Sequence, residues 1–491
     1  MPVPSKLYRP SLALLTDFYE LTMAYAAWKE GIDRREASFV LSFRRNPFQG
    51  GFTVAAGLEP AMDLVEHWRF EEDDLAFLEA QRGADGAPIF ERGFLEHLSR
   101  VEMAVDVDAV PEGTVVFPHE PLLRITGPVI PCLLLETAVL TIVNFQTLIA
   151  TKAARVCLAA RGEPVIEFGL RRAQGIDGGL SATRAAFVGG CHATSNTLAG
   201  KLWGIPVRGT HAHSWVMLHD SEREAFLAFA RAVPGTCVFL VDTYGTREGL
   251  ENAIEVGRWL RSQGKELAGI RLDSGDLAWL SQEARRILDE AGFPKAAILA
   301  SNELDEHVID SLKDQGAKVA VWGVGTRLVT GHDDGALGGV YKLGAVRESK
   351  DVPWKPRVKV SEQIEKTTIP GLLQVRRFSK DGEFTADAIF DETLGLPSPA
   401  VIVDPADPLR RREIPAGAAG ADLLVPVFRG GRRLYAPPPL DEVRARTGAQ
   451  LAGFHGGVKR FMNPHEFPVG LERRLHELRA QLVLAARGAA R

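Results

Sequence analysis

The chain predicts an α/β protein built around a parallel barrel, and three features of the sequence carry that expectation. Apolar, strand-like runs recur at 164–168, 205–208, 237–241, 268–272, 297–300 and 319–322. They are spaced roughly 20 to 45 residues apart with a helical pattern in most gaps, the signature of βα units feeding a parallel sheet. Each run ends in small polar, acidic or basic residues rather than in a plain turn. Six such units in succession favour a barrel over an open sheet, although eight is the usual number.

Composition bounds the rest. The 491 residues suggest two to three domains. Hydrophobic residues make up 45% and charged residues 25%, an ordinary globular balance. A net charge of -5 and a pI near 6.2 argue against a general nucleic-acid or membrane-surface binder. Any anionic substrate must therefore meet local positive charge. The four cysteines, Cys132, Cys157, Cys191 and Cys237, form no CxxC pair and read as reduced thiols of a cytoplasmic protein. The first twenty residues lack a long apolar core behind a basic start, so no signal peptide is expected. The apolar stretch 128–150 is long enough to span a bilayer, but Glu136, Asn144 and Gln146 interrupt it, and buried helices are expected instead.

In chain order, 14–25 reads as a helix with Thr16 or Asp17 as N-cap, and Tyr19, Met23 and Tyr25 near one face suggest core packing. Residues 37–43 alternate like a strand. Helical patterns follow at 58–68, 72–81 and 87–100, then short strands broken by prolines and glycines over 105–125. A long helical stretch covers 133–160 and leads into the βα units. After residue 343 the pattern stops. Residues 355–390 read as hairpins and turns, 397–433 as loops with short strands, and 471–491 as an amphipathic surface helix. The expected domains are 1–127, an N-terminal α+β domain, 128–345, the α/β barrel, and 346–491, a C-terminal segment completing the second domain.

The strand ends carry the chemistry, because catalytic groups of parallel barrels sit at the C-terminal ends of the strands. Here those ends are Glu167-Phe168-Gly169-Leu170-Arg171-Arg172, Gly209-Thr210-His211-Ala212-His213-Ser214, Asp242-Thr243-Tyr244-Gly245-Thr246, Arg271-Leu272-Asp273-Ser274-Gly275-Asp276, Ser301-Asn302-Glu303-Leu304-Asp305 and Gly323-Val324-Gly325-Thr326-Arg327. A single such loop is usually structural, since Asp, Ser, Thr and Gly cap the next helix. Six together point to a shared pocket suited to a phosphorylated sugar. The Gly323–Thr326 turn offers backbone N–H groups and a hydroxyl to phosphate. Arg171 and Arg271 can grip carboxylate or phosphate bidentately. Asp242 and Asp273 suit sugar hydroxyls or hydrated Mg²⁺, with helix capping as the competing role. His213 is placed to accept a phosphoryl group or relay protons, against the plainer role of a satisfied structural histidine.

Taken together these strings resemble the nicotinate phosphoribosyltransferase family. The resemblance rests on Thr16-Asp17-Phe18-Tyr19-Glu20-Leu21-Thr22-Met23, the EFGLRRAQG…DGG stretch at 167–179, and GT-AHS at 209–214. It continues through RLDSGDL at 271–277, GVGT…GGVYKL at 323–343 and KVSEQIEKTTIPG at 359–371. It implies an irregular, TIM-like α/β barrel of the type II phosphoribosyltransferase kind, with a second α+β domain built from both chain ends. It implies synthesis of nicotinate mononucleotide from nicotinate and 5-phosphoribosyl 1-pyrophosphate with release of pyrophosphate, a salvage step of NAD biosynthesis. ATP hydrolysis, Mg²⁺ and a phosphohistidine are implied with it, which makes the enzyme a ligase as well as a glycosyl transferase. By motif, His213 is similar to the phosphohistidine and Phe168 to the aromatic stacked on the pyridine ring. Tyr19 is similar to the opposing aromatic supplied by the partner in a homodimer. Thr210 and Arg271, with Arg171 nearby, resemble nicotinate contacts. Gly323, Gly325 and Thr326 resemble the phosphate turn, and Asp242 and Asp273 polar groups around ribose and metal. The metal itself is expected to be held mainly by pyrophosphate and water.

Two alternatives remain open on the residues. A nicotinamide-using relative would carry an acid in the segment corresponding to 193–197, where this chain has none. A barrel metallohydrolase could use His211 and His213 as an HxH pair on Zn²⁺, but it needs further ligands on later strand ends.

Overall fold

The computed structural model describes residues 11–362 and 367–489. Residues 363–366, inside the 359–371 motif, and 490–491, at the end of the expected C-terminal helix, lie outside the described residues, as do residues 1–10. The chain forms two compact units. One gathers 1–147, 336–439 and 449–491; the other holds 148–335 and 440–448. The expected boundaries at 127/128 and 345/346 thus stand beside observed ones at 147/148 and 335/336. The strand Val340–Arg347 belongs with the first unit because it pairs antiparallel with Glu36–Ser42. The start of the long helix Glu136–Ala159 belongs there too, because Thr137 bonds to Glu20.

In the first unit a seven-stranded sheet runs in the order 355–356, 340–347, 36–42, 123–128, 106–109, 425–429 and 432–433. A second sheet of six strands, order 411–414, 400–403, 469–472, 383–391, 373–380 and 420–422, holds the hairpin Leu373–Lys380/Glu383–Asp391. The N-terminal helix is Phe18–Lys29, entered at Asp17. Its Phe18, Tyr19 and Met23 are 46%, 47% and 39% exposed, so the expected packing of Tyr19 and Met23 into the core does not occur.

The second unit has six parallel strands in the order Ala193–Thr194, Val165–Glu167, Val321–Val324, Ala297–Ala300, Gly269–Leu272 and Val238–Leu240. Their apolar runs follow from burial on both faces: Val165, Leu240, Ile270, Leu272 and Val324 are all 1% exposed or less. The sheet curls as a half-barrel, and its ladder of six strands is open where the expected TIM-like ring would close. The run at 205–208 contributes only a single parallel bridge, Thr194 to Val207. On the far edge, Leu240 gives its N–H to the imidazole Nε2 of His211 (3.3 Å) instead of to a backbone carbonyl. A side chain stands where a closing ladder would have to form.

The segment Val129–Ala159 is long and apolar enough to cross a membrane by length and composition. It is packed as core: Ile130, Cys132, Leu134 and Val139, and the charged Lys152 and Arg155, are 1% exposed or less.

Candidate active site

Arg271 sits at the end of the strand Gly269–Leu272 and organises the strand-end cluster. Its Nε donates to Ser301 Oγ (2.7 Å), one terminal nitrogen to Thr210 Oγ1 (3.2 Å) and the other to Asp273 Oδ1 (2.7 Å). Three of its five N–H groups are thereby fixed, and the guanidinium lies 5.5 Å from the centroid of the Phe168 ring, a cation–π distance. Ser301 also donates to Asp273. Burial alone would raise the Asp273 carboxyl; the Ser301 hydroxyl, the Arg271 guanidinium and His213 outweigh it and hold the group below its ordinary value.

Asp242 faces the same point from the neighbouring strand end. Its Oδ2 accepts from the Asp273 backbone N–H (2.9 Å) and from Ser274 Oγ (2.7 Å). Its Oδ1 is buried without a hydrogen-bond partner. Neither Asp242 nor Asp273 caps a helix: the helix Leu277–Glu290 is capped by Asp276, and Thr246–Ser262 starts at Gly245 with no side-chain cap. The capping role is thereby excluded for both. His213 opens the short helix His213–Met217. Its Nδ1 pairs with Thr243 Oγ1 (3.1 Å), while Nε2 stands 3.8 Å from Asp273 Oδ2 and 4.0 Å from Asp242 Oδ1.

His211 plays a different part. It packs against Phe226, Phe229 and Phe239. Burial, with the neighbouring charges of Arg271 and His213, pulls its pKa down to about 4 against a small opposing pull from Ala212. With Nε2 accepting from Leu240, the proton resides on Nδ1 and neither nitrogen is free for a metal. The HxH zinc reading loses one of its two ligands.

Phe168 is placed by its neighbours. A Cβ on Gly323 would lie 2.7 Å from its ring and 3.4 Å from Ser301 Cβ, so only glycine lets the ring lie against that strand end. Glu167, 1% exposed, accepts from Thr194 Oγ1 (2.7 Å), Thr183 Oγ1 (2.9 Å) and the Gly169 N–H. The carboxylate therefore clasps the backbone on the far side of Phe168. Burial raises its pKa, and the three hydrogen bonds oppose the rise. Asn196 extends this network, donating to Thr183 Oγ1 (3.1 Å) and accepting from the Ala199 N–H (3.2 Å).

The structure thus brings together Phe168, Thr210, His213, Asp242, Arg271, Asp273 and Gly323. Three other expected residues have contacts of their own or none. Arg171 lies exposed in the turn Leu170–Arg172, with no hydrogen bond or ion pair among the described residues. Thr326 turns its hydroxyl to Glu303 (3.3 Å), and its helix, Thr326–Val329, has only four residues. Tyr19 belongs to the other unit, where its hydroxyl bonds to Glu136; burial, then the charges of Glu136 and Glu20, push it up to about 12. Glu167, Thr183, Thr243 and Ser301 were given no role from sequence. The signal for three of them was their place in strand-end strings; Thr183, in the helix Gly175–Val188, gave none. Asn302 adds a further mark of function, a non-glycine residue at φ 114° in the Ser301 loop.

Comparison with known proteins decides the lineage. The family model for the nicotinate phosphoribosyltransferase N-terminal domain matches residues 14–144, and that for its C-terminal domain 374–479. The nicotinate phosphoribosyltransferase of Bacillus subtilis (strain 168) is 40% identical over 485 residues, covering 96% of this chain and 97% of that protein. This chain belongs to the nicotinate phosphoribosyltransferase family. The Homo sapiens nicotinate phosphoribosyltransferase is 35% identical over 523 residues, with 95% of each chain covered. The crystal structure of human nicotinic acid phosphoribosyltransferase superposes with a TM-score of 0.82 at 32% identity, covering 95% of this chain and 99% of that one. The nicotinate-nucleotide pyrophosphorylase from Pyrococcus furiosus shares the fold at TM-score 0.66 and 22% identity. The chain is accordingly an enzyme of the nicotinate phosphoribosyltransferase family, a family of NAD biosynthesis.

Proposed function

We propose that the strand-end cluster carries an ATP-coupled reaction through phosphorylated His213. The observation behind this reading is the convergence of His213, Asp242 and Asp273 on one point beside Arg271 and Phe168. In the coupling step an imidazole nitrogen attacks the terminal phosphorus of ATP; an N–P bond forms, a P–O bond breaks, and ADP leaves. The Thr243 hydroxyl holds Nδ1 of the imidazole and so orients Nε2 toward the cluster as the attacking nitrogen. In the transfer step the pyridine nitrogen attacks the anomeric carbon, and the C–O bond to pyrophosphate breaks. The nitrogen carries no proton to remove, so positioning and charge stabilisation supply the rate.

In this reading Arg271 and Thr210 bind the nicotinate carboxylate, with Arg171 swinging in from its exposed turn. Phe168 covers one ring face and the partner subunit's Tyr19 the other, in a homodimer. Gly323, Gly325 and Thr326 receive the ribose phosphate, for which Glu303 must rotate out. The donor set also fits a Mg²⁺ site: the unpartnered Asp242 Oδ1 and the neighbouring Asp273 are oxygen ligands that would accept its bound waters. When bound, Mg²⁺ would neutralise charge on the pyrophosphate. Four free cysteines accord with a reducing, cytoplasmic setting.

The test is nucleotide formation from nicotinate and from nicotinamide, with and without ATP. The expected result is nicotinate use stimulated by ATP, together with an acid-labile, base-stable phosphoprotein after incubation with ATP. His213→Ala should abolish ATP hydrolysis and leave slow ATP-independent transfer. Undiminished ATP stimulation in that variant rules out the phosphohistidine.

A further inference from the structure

A second cleft, lined by several arginines, lies in the unit formed from both chain ends. A cleft of about 1170 Å³ opens there between the loop after the strand Glu36–Ser42, the turn at Pro118-His119, the hairpin loop at 404–412 and the segment 463–469. It shares no residue with the strand-end cluster.

Three properties set this cleft apart. The first is charge. Arg44, Arg45, Arg411 and Arg412 line it, and none has an ion-pair partner among the described residues. The acids beside them face other groups. Asp404 and Glu466 both face Arg410, at 3.8 Å and 2.8 Å, and Asp407 accepts the Leu409 N–H. Five arginines against the three carboxylates Asp404, Asp407 and Glu466 leave a net positive lining on a chain of net charge -5, a local attraction for anions. The second is backbone strain. Eight non-glycine residues among those described have positive φ, and three of them, Gln49 (49°), His119 (72°) and Asn463 (46°), line this cleft. Such conformations cost on the order of 1 kcal/mol or more each and gather where a surface is shaped for binding. The third is size. The space exceeds what one phosphate or carboxylate fills, and planar forks in that number match several phosphate oxygens at once.

We infer that this cleft is a binding site for a di- or triphosphate group, separate from catalysis. The ligand is either an inorganic polyphosphate or the phosphate tail of a nucleotide. Phe467 also lines the cleft and offers an aromatic wall to a base.

The test is calorimetric titration of the full-length chain with inorganic tripolyphosphate and, separately, with ATP. The Arg45→Ala/Arg411→Ala/Arg412→Ala variant changes only exposed side chains and should keep the wild-type melting temperature. It should lose one binding event per chain for both probes, while kcat and KM for nicotinate and phosphoribosyl pyrophosphate stay within about twofold. Arg411→Lys/Arg412→Lys keeps the charge but not the fork and should weaken that event roughly tenfold rather than abolish it. Tighter cleft binding of ATP than of tripolyphosphate identifies a nucleotide; equal binding identifies the phosphate chain alone. An unchanged number of binding events in the triple variant overturns the site. So does a loss of catalysis in step with binding, because the arginines would then serve the reaction itself.

Discussion

At the scale of single residues, the cluster is governed by which hydrogen bonds are already spent. Glu167 spends its carboxylate on three donors, and one of them, the Gly169 N–H, fixes the backbone just past Phe168. Glu167→Gln keeps the shape but puts an NH₂ group against a donor, leaving a buried group unpaired at a cost of about 1–3 kcal/mol. The expected outcome is a rise of roughly tenfold in KM for nicotinate, about 1.4 kcal/mol, with KM for phosphoribosyl pyrophosphate little changed. Equal rises for both substrates would show a general loosening instead. In the other unit Glu20, next to Tyr19 on the helix Phe18–Lys29, is fully buried. Burial raises its pKa to about 7; hydrogen bonds from Thr137 oppose the rise, and Glu136 and Asp17 add to it. Between its ordinary 4.5 and about 7 the folded chain holds a proton that the unfolded chain has released. This group's contribution to stability is therefore full below pH 4.5, falls as pH rises, and becomes a standing penalty above 7. Glu20→Gln should raise the melting temperature at pH 8 and leave it unchanged near pH 4.5. A gain of the same size at both pH values would refute the titration.

At the scale of elements, sequence reasoning succeeded where burial dictates pattern. The runs at 164–168, 237–241, 268–272 and 297–300 were legible because parallel strands covered on both faces must be continuously apolar. Ala193–Thr194 was not, since two residues make no run. The helix Leu440–Ala452 received no reading from sequence; Pro437, Pro438 and Pro439 precede it, and Pro439 stands at its N-cap. The open edge was also illegible, because a side chain, the His211 imidazole, takes the Leu240 N–H there. The site residues were visible by position: a polar group at the C-terminal end of a parallel strand lies outside the core. What position could not tell was which aspartates cap helices, and there the geometry separates Asp276 from Asp242 and Asp273. The glycine at 323 offers a test at this scale. Gly323→Ala puts a methyl within 2.7 Å of the Phe168 ring. The ring must move, and nicotinate KM should rise severalfold while the melting temperature changes little. Unchanged kinetics would mean that Phe168 does not touch the substrate.

At the scale of the whole molecule, the unit carrying the cluster supplies an aromatic face at Phe168, while Tyr19 stands exposed on a helix of the other unit beside exposed Leu15, Phe18 and Met23. An apolar row on a surface helix is what a subunit interface covers. A two-fold dimer would bury that row twice and deliver each Tyr19 to the opposite chain. Mixing experiments separate a shared site from a self-contained one. Tyr19→Ala and Arg271→Ala chains should each be nearly inactive as pure proteins. After joint unfolding and refolding in equal amounts, half of the dimers are mixed by chance, and in each mixed dimer one of the two sites has both wild-type residues. Activity should therefore recover to about a quarter of wild type. If Tyr19 served its own chain, each mixed dimer would hold two damaged sites and no activity would return. Full activity of the pure Tyr19→Ala protein would place Tyr19 outside the reaction and leave Phe168 to hold the pyridine ring by one face alone.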